Sequence, residues 1–317
     1  MRALHLGSDG LSFRTDYPEP EIQADQALIR LVRAGICSTD LELVKGYYGY
    51  EGILGHEFVG VVEEARDRSW IGQRVVGTIN LGCRHCPVCV GSGPEHCPHR
   101  TVLGIVAHDG AFADRLVLPI ANLLEVPENV SDRHAVFAEP LAAALRIREQ
   151  LTVPATARLA VVGPGRLGLL IAQVLGLGGG RVSVLGRREE SLALARSWGL
   201  ETGLVADAES DGFDLVVEAT GNEAGLAESL RLVRPQGTLV LKSTFEGAAT
   251  VDLTKLVVAE ITVVGSRCGP FAPALRLLEK GAVDVESMIE AEYPLERALE
   301  AMEHAARPGV LKVQLVA

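Results

Sequence analysis

Four cysteines lie close together in one short loop that is rich in glycine and proline. The stretch GCRHCPVCVGSGPEHC places Cys83, Cys86, Cys89 and Cys97 with the spacing C-x2-C-x2-C-x7-C. Four thiolates from one loop can complete a tetrahedral Zn²⁺ shell, which leaves no position for a substrate. Because the loop has little apolar content of its own, such an ion would stabilise its fold. We therefore predict a structural zinc site here, and catalysis needs other residues.

A second set of candidate metal ligands is spread over the first half of the chain. Cys37 lies in AGICSTD, His56 in GHE and Glu139 in AEP. One thiolate, one imidazole and one carboxylate would bind Zn²⁺ and leave a fourth position for water or an alcohol oxygen. Each residue alone also has an ordinary structural interpretation: a small core residue, a hydrogen-bonded core histidine and an acid at a helix N-terminus. Both interpretations stay open at this point.

A glycine-rich segment has the pattern of a dinucleotide-binding loop. GPGRLG places Gly163, Gly165 and Gly168 as G-x-G-x-x-G, after the apolar run RLAVVG and before a helix-length apolar segment. The glycines allow a tight turn and a close approach of the backbone to a pyrophosphate. The first helical residues, Arg166 and Leu167, would offer free N–H groups to the same phosphates. We predict a dinucleotide site, with a plain turn as the alternative.

The end of the next strand bears on which nicotinamide cofactor is preferred. NAD sites usually have Asp or Glu here to bind the ribose 2′-hydroxyl, whereas this chain has Gly186, Arg187 and Arg188. A small residue makes room, and guanidinium groups suit a 2′-phosphate. We therefore predict NADP(H) over NAD(H). Alternatively, both arginines are solvated residues at a helix start, followed by Glu189 and Glu190.

The elements that must position these residues divide the chain into two architectures. Before residue 141, short β-rich runs such as ALIRLVRAGI and EFVGVVEEA are separated by turns, which predicts an irregular antiparallel domain or barrel. After it, strand and helix patterns alternate, which predicts a parallel sheet with helices on both faces. Near the C-terminus, GVLKVQLV predicts a closing strand that could return to the first domain.

A helix is predicted before that closing strand. Leu295, Ala298, Leu299 and Met302 follow the spacing i, i+3, i+4, i+7. This spacing places them on one face of a helix. We therefore predict a helix that contains all four residues.

Composition limits the classes of partner. Hydrophobic residues make up 48% of the 317 residues, which is enough for a full core. The net charge of -11 argues against nonspecific binding to nucleic acid or to an anionic membrane. No basic and apolar leader starts the chain, and the most apolar stretch, LGLLIAQVLGLGGG, is too short to span a bilayer. We expect a cytoplasmic protein, whose clustered cysteines are metal ligands rather than disulfides.

Taken together, the motifs resemble one known family. GICSTD, GHEFVGVV, the four-cysteine loop, AEPLA, GPGRLG and VVEATG occur in this order in zinc-dependent medium-chain alcohol dehydrogenases. The resemblance covers nearly the whole chain. It is greatest to the polyol, threonine and glucose dehydrogenase branch, because a glutamate in EPLA stands where many alcohol dehydrogenases have cysteine. It implies an α/β fold in which a GroES-like β-barrel catalytic domain is split by a Rossmann domain with a doubly wound parallel sheet. The expected bounds are 1–140 for the catalytic domain, 141–267 for the Rossmann domain and 268–317 for the returning segment.

The resemblance also implies roles for particular residues. A catalytic zinc ion would be bound by Cys37, His56 and Glu139, with Glu57 as a neighbouring carboxylate that can approach it. Asp40 would hydrogen-bond His56 and fix its orientation. Thr39 would contact the substrate oxygen and pass on its proton.

Two further positions are considered through the same resemblance. Thr220, in VVEATG, joins the cofactor-binding set. The family commonly has histidine where this chain has Glu42, at the end of a proton relay. The relay could run through Glu42, through the cofactor ribose or through water.

The expected activity is reversible hydride transfer between an alcohol and NADP⁺ or NAD⁺, which gives an aldehyde or ketone. The resemblance implies two zinc ions per chain, a small-molecule substrate, and a homodimer or homotetramer. A polyol, a sugar or another primary or secondary alcohol would fit equally. Two other functions stay open: a zinc- and NADP(H)-binding redox sensor or scaffold without turnover, and a zinc-free quinone or enoyl reductase on the same fold.

Overall fold

The computed structural model describes residues 1–244 and 248–317. The strands of these residues are β1 (Ala3–Gly7), β2 (Gly10–Arg14), β3 (Gln26–Gly35), β4 (Gly52–Ile53), β5 (Glu57–Ala65), β6 (Arg74–Gly77), β7 (Asn80–Leu81), β8 (Thr101–Val102), β9 (Arg115–Pro119), β10 (Leu123–Glu125), β11 (Arg158–Val162), β12 (Arg181–Gly186), β13 (Glu201–Leu204), β14 (Phe213–Glu218), β15 (Val233–Leu241), β16 (Thr262–Gly265), β17 (Ile289–Pro294) and β18 (Lys312–Val316). Their α-helices are α1 (Ser38–Val44), α2 (Pro87–Ser92), α3 (Asp132–Ala135), α4 (Ala138–Gln150), α5 (Arg166–Gly176), α6 (Ala193–Ser197), α7 (Glu223–Leu232), α8 (Leu253–Val258), α9 (Phe271–Glu279) and α10 (Ala298–Ala305). Every one of these helices is too short or too polar to span a bilayer.

The chain forms two compact units. Unit 1 comprises Met1–Glu139 together with Phe271–Ala317, and unit 2 comprises Pro140–Pro270. The first unit is therefore built from two separate stretches of chain, and the second is the stretch inserted between them.

Unit 1 is dominated by a sheet in the order β10-β6-β5-β3-β18-β17, with β9 also paired to β3. Neighbouring strands are antiparallel except β17 and β18. The predicted closing strand is confirmed, because β18 pairs with β3 through Gln314 opposite Gly35. Along β3, Ala27, Ile29 and Leu31 are fully buried, as period-two alternation requires for a half-buried strand.

Unit 2 contains a parallel sheet in the order β13-β12-β11-β14-β15-β16. The central strand β11 has the continuous apolar run Leu159–Val162, all of it buried, which is typical of a parallel strand covered on both faces. Ligands of such sheets bind beyond the carboxyl ends of the strands. Both segments predicted to bind the cofactor, GPGRLG and GRR, follow or end strands at this edge, after β11 and on β12.

The predicted last helix is found, but it begins after Leu295, at Ala298. Leu295, Ala298 and Met302 are buried, but Leu299 is 39% exposed, and Ala301 is fully buried in its place. Residues Leu295–Arg297 form a 3₁₀ turn before α10 begins. Because a 3₁₀ turn has 3.0 residues instead of 3.6, the buried face shifts relative to a continuous α-helix.

Candidate active site

Asp40 links the two segments that carry Cys37 and His56. Cys37 is the N-cap of α1, and its backbone N–H donates to Asp40 Oδ2 at 2.8 Å. The backbone N–H of Gly55 donates to Asp40 Oδ1 at 3.2 Å. Asp40 is fully buried. Its carboxylate is therefore fixed by backbone donors on both segments, which places it to orient a neighbouring side chain.

That neighbour is His56, which is 3% exposed. Its Nδ1 lies 3.2 Å from Asp40 Oδ1, although the direction of approach is outside hydrogen-bond geometry. Burial alone would lower the pKa of His56, but the negative charges of Asp40 and Cys37 outweigh it and hold the pKa well above its ordinary value. The imidazole thus lies in a negative potential, which also favours a metal cation.

Cys37, His56 and Glu57 form a cluster of ligand atoms. One ligand atom from each lies within 4.8 Å of the other two. Glu57 is fully buried; its Oε2 accepts from Lys312 Nζ, while its Oε1 has no hydrogen-bond partner. A buried carboxylate oxygen without a partner is costly unless a cation or a water satisfies it. A thiolate, an imidazole and this oxygen fit the donor preferences of Zn²⁺.

Glu139 is placed differently from the other predicted ligands. It lies in the first turn of α4, is 9% exposed, and is the last residue of unit 1 before the inserted unit. Among the described residues, the metal-binding cluster is formed without it. The carboxylate that the fold brings to Cys37 and His56 is Glu57, the residue that directly follows the histidine. Binding of the ion by Glu139 stays a prediction.

Thr39 and Glu42 lie on the same helix, α1. The hydroxyl oxygen of Thr39 is 3.8 Å from Cys37 Sγ, which places it beside the cluster. Glu42 accepts from Lys45 Nζ at 2.7 Å on the protein surface. The structure therefore brings Thr39 to the cluster and leaves Glu42 in an exposed ion pair, so a proton route between them stays a prediction.

The four cysteines of the loop lie at distances that suit one ion. The sulfur atoms of Cys83 and Cys89 are 3.8 Å apart, those of Cys86 and Cys97 are 4.0 Å apart, and those of Cys97 and Cys83 are 3.7 Å apart. A tetrahedral ion with Zn–S bonds of about 2.3 Å separates its sulfurs by about 3.8 Å. Backbone N–H groups of His85 and Cys86 lower the pKa of Cys83 to about 6, which favours the thiolate that binds metal. All four positions of such an ion would be filled.

The glycine-rich loop of unit 2 has the shape that a pyrophosphate requires. Gly163 has a φ of 105°, and a Cβ at Gly168 would overlap the carbonyl oxygen of Gly163. These two positions therefore need glycine for the turn itself. A Cβ at Gly165 would meet nothing within 4 Å, and Gly165 caps α5 without a side-chain bond. Helix α5 begins directly after it with Arg166 and Leu167, and the N-terminus of a helix can bind a phosphate.

The residues predicted to read the cofactor ribose lie at the carboxyl end of β12. Gly186 is buried, and a Cβ there would lie 3.1 Å from Pro164 of the glycine-rich loop. Arg187 and Arg188 are exposed, and neither guanidinium pairs with another described side chain. Glu189, by contrast, accepts from Arg196 at 2.8 Å. Two unpaired cations beside the loop are thus available to an anion.

Thr220 follows β14 but its polar groups are already used. Its backbone N–H and its hydroxyl each donate to Glu218 Oε1 at 2.6 Å. Glu218 is 2% exposed and also accepts from Gly221 at 3.2 Å. Thr220 therefore shapes the loop after β14, and a direct bond from it to a cofactor stays a prediction.

One residue of the site is missed by the sequence analysis. Lys312, the first residue of β18, is 1% exposed and donates to Glu57. The only signal in the sequence is a lysine within the apolar run GVLKVQLV. Such a lysine is usually interpreted as a solvated residue of a half-buried strand.

Comparisons with known proteins identify the family of the chain. The chain matches the alcohol dehydrogenase GroES-like domain over residues 23–128 and the zinc-binding dehydrogenase domain over residues 167–280. It is 32% identical over 306 residues to an L-threonine 3-dehydrogenase of Streptomyces avermitilis, covering 88% of each chain. A zinc-binding dehydrogenase structure from Sinorhizobium meliloti 1021 bound to NADP is 29% identical, with a TM-score of 0.91 over 100% of this chain and 99% of the other. An alcohol dehydrogenase structure from Escherichia coli CFT073 complexed with NADH is 26% identical, with a TM-score of 0.91 and the same coverage.

These findings confirm the predicted fold class, a GroES-like domain joined to a Rossmann-type parallel sheet, and the predicted activity. The chain therefore belongs to the zinc-dependent medium-chain alcohol dehydrogenase family, and it is an NAD(P)-dependent oxidoreductase that acts on alcohol groups.

Proposed function

We propose that the chain oxidises an alcohol reversibly at a metal site formed by Cys37, His56 and a glutamate, with NADP⁺ as the preferred acceptor. The observation that carries this proposal is the cluster of Cys37, His56 and Glu57, in which one buried carboxylate oxygen has no partner. Three protein ligands leave room for a substrate oxygen, unlike the four sulfurs of the other cluster. When bound, Zn²⁺ supplies Lewis acidity that makes an alcohol hydroxyl more acidic near neutral pH.

The residues around the cluster have separable tasks. Asp40, held by the N–H groups of Cys37 and Gly55, places its carboxylate 3.2 Å from Nδ1 of His56, where its negative charge would orient the ring and leave the other ring nitrogen for an ion. Thr39, beside Cys37 Sγ, takes the proton of the substrate hydroxyl. When bound, the nicotinamide would supply the acceptor for a hydride, that is for two electrons and one proton of the alcohol, and Thr39 would carry the second proton. From Thr39 that proton reaches solvent through Glu42, the cofactor ribose or water.

Glu57 and Glu139 are alternative carboxylate ligands, and zinc analysis separates them. Glu57→Gln and Glu139→Gln are each compared with Glu64→Gln, at an exposed residue on the same strand as Glu57. We expect the variant that lacks the true ligand to lose one of two zinc ions and its turnover, whereas Glu64→Gln keeps both. If both Glu57→Gln and Glu139→Gln hold two zinc ions and stay active, the proposed ligand set is wrong.

Preference for NADP(H) is supported by the exposed, unpaired Arg187 and Arg188 and by the glycine at position 186, where NAD sites usually have an acid. One similar structure carries NADP and another carries NADH, so the relatives do not indicate one cofactor. The proposed preference for NADP(H) therefore rests on the residues of this chain at positions 186–188. The glycine-rich loop and the N-terminus of α5 would bind the pyrophosphate of either cofactor.

A homodimer or homotetramer is supported by an apolar surface on unit 2. On α8, Leu253, Val257 and Val258 are 69%, 75% and 78% exposed, and the nearby β16 is an edge strand of the parallel sheet. Open edges and apolar patches of this kind are usually covered in the assembled protein. We expect Val258→Asp to lower the mass measured by analytical ultracentrifugation, and Val90→Asp, at a residue 76% exposed in the cysteine loop, to leave it unchanged. An unchanged mass for Val258→Asp would exclude this surface as the interface.

The six cysteines are all free of disulfides. The two clusters that contain cysteine fit a reducing compartment such as the cytoplasm, where thiolates remain available as metal ligands.

The test of the function is a substrate screen on protein of measured zinc content. Polyols, sugars, amino alcohols and simple alcohols are offered with NADP⁺ and with NAD⁺, and reduced nicotinamide is followed. We expect two zinc ions per chain and turnover of at least one of these alcohols. Protein that holds two zinc ions and binds NADP(H) but turns over none of them would instead support a sensor or scaffold, and turnover of quinones or enoyl compounds without zinc would support a reductase.

A further inference from the structure

Lys312 and Glu57 form a buried ion pair inside unit 1. Lys312 is 1% exposed and Glu57 is fully buried. The Nζ atom of Lys312 donates to Glu57 Oε2 and, at 3.4 Å, to the carbonyl oxygen of Ile36, the residue before Cys37. It also lies 5.7 Å from the centre of the Phe137 ring. The lysine therefore contacts both segments that carry the metal-binding cluster.

The two oxygens of Glu57 have different surroundings. Oε2 is occupied by Lys312, whereas Oε1 is buried without a hydrogen-bond partner. The side of the carboxylate that faces β3 is closed as well, because a Cβ at Gly35 would overlap Oε2. Only Oε1 is left for an ion at the cluster.

We infer that Lys312 is a positioning residue for the metal site, and the inference rests on the site of the proposed function. Lys312 compensates the charge of Glu57 when no ion is bound, and it keeps Oε2 occupied so that the carboxylate offers a single oxygen. With an ion bound, the ammonium group repels it and lowers the affinity of the site. The ion consequently receives less charge from Glu57 than it would from an unpaired carboxylate, which preserves its Lewis acidity.

This arrangement depends on the last strand of the chain. Lys312 and Glu57 are separated by 255 positions in the sequence, and β18 lies between β3 and β17 in the sheet. The charge balance of the metal site is therefore complete only after the C-terminal segment has paired with the N-terminal one.

The test compares zinc binding and thermal unfolding in four variants. Lys312→Met removes the charge with little change in volume, Lys312→Arg keeps it, and Glu57→Gln/Lys312→Met removes both charges. Lys242→Met is the control, because Lys242 is also buried, at 7% exposure, but donates to Ser266 and to the carbonyl oxygen of Arg267 in unit 2. The site in question is identified as the class of zinc that Cys37→Ser does not bind.

A buried carboxylate that has lost its cation depends on the metal for compensation. We therefore expect Lys312→Met to lower the unfolding temperature more in zinc-depleted than in zinc-loaded protein. At the site defined by Cys37→Ser, it should bind zinc at least about tenfold more tightly, since a unit charge so close to the ion has been removed. Lys312→Arg should behave as the parent. The double variant should recover the stability of the zinc-depleted protein, because no charge is left unpaired. Lys242→Met should change stability equally with and without zinc.

Two results would overturn the inference. An equal loss of stability with and without zinc in Lys312→Met, at unchanged zinc affinity, would show that the lysine only fills space. Failure of the double variant to fold would also show that the lysine only fills space. This result can be obtained even if Lys312→Met itself cannot be purified without zinc. Failure of the proposed function is recognised separately, because Cys37→Ser would then bind as much zinc as the parent chain.

Discussion

Replacement of the two arginines after β12 tests the predicted cofactor preference. Arg187→Gln and Arg188→Gln each remove one guanidinium from a surface where neither has an internal partner. Since no other described side chain depends on either guanidinium, the change in binding free energy should equal the contribution of its hydrogen bond to the 2′-phosphate. A hydrogen bond to a charged group contributes about 1.5 to 3 kcal/mol. This corresponds to a rise of about 10- to 100-fold in the KM for NADP⁺.

The same replacements should leave NAD⁺ almost unaffected, because its 2′-hydroxyl carries no charge. Because both side chains are exposed, the preference for NADP⁺ over NAD⁺ should also become smaller as ionic strength rises. Salt screens such exposed charges, with a Debye length of about 8 Å at physiological ionic strength. The chain as a whole carries a net charge of -11, so the local cations must act against an unfavourable overall charge for a phosphate.

Arg181→Gln is the matched control. Arg181 is an exposed arginine at the first position of the same strand, β12, five residues before Gly186 and roughly 16 Å from it. Steady-state kinetics with both cofactors at two salt concentrations would measure the effect. If Arg181→Gln changes the ratio of the two KM values as much as Arg187→Gln and Arg188→Gln do, or if these two weaken both cofactors equally, the assignment of the 2′-phosphate site is wrong.

Three further predictions concern other parts of the chain. Gly165→Ala should keep the unfolding temperature but weaken cofactor binding at least about tenfold, since its methyl group would project into free space. Gly168→Ala should lower both the unfolding temperature and the cofactor affinity, because its methyl group would overlap Gly163. Calorimetry and cofactor titration would measure the two quantities, and equal behaviour of the two variants would contradict the cofactor loop. Cys97→Ser should remove one zinc ion and destabilise the protein, while Cys37→Ser should remove the other and abolish turnover; loss of the same ion in both would contradict two separate sites. Hydrogen bonds from the backbone N–H of Arg158 and from the side chain of Arg234 lower the pKa of Asp214. The ionised carboxylate therefore stabilises the fold above the pKa of about 3.9 that it has in an unfolded chain, and this stabilisation is lost as the pH falls through the lower folded value. The free energy of unfolding measured in urea should accordingly differ between Asp214→Asn and the parent at neutral pH and become equal in acid. A difference that persists in strong acid would refute this reasoning.

What the sequence can predict depends on how local the determining contacts are. The cysteine loop and the glycine-rich turn are each encoded within a short stretch, because their geometry follows from spacing and from φ preferences there. The pairing of Lys312 with Glu57 requires the register of β18 against β3, which no local pattern specifies. The start of the last helix is missed for a related reason, since apolar spacing does not reveal the 3₁₀ turn that contains Leu295.

Glu139 and Glu57 show a second reason why sequence patterns do not identify every site residue. Both are acids in motifs from which a metal site is predicted, and residue type alone does not rank them as ligands. Adjacency to His56 does carry information, because β5 begins at Glu57 and alternation along a strand sends neighbouring side chains to different sides. That rule alone would separate His56 from Glu57. The turn before β5 overrides it, where Gly55 has a φ of 96° and both side chains reach the same cluster.

The two predicted metal sites would therefore impose different demands on folding. All ligands of the cysteine cluster come from residues 83–97, so a closed ion there needs only its own loop and can bind before the rest of unit 1 is complete. The cluster of Cys37, His56 and Glu57 is drawn from two segments joined by Asp40, and its carboxylate is compensated by a strand that follows the whole inserted unit. An ion at this second cluster should consequently bind late, after β18 has paired with β3. The site proposed to leave a position for substrate is thus the one whose assembly would depend on both segments of unit 1.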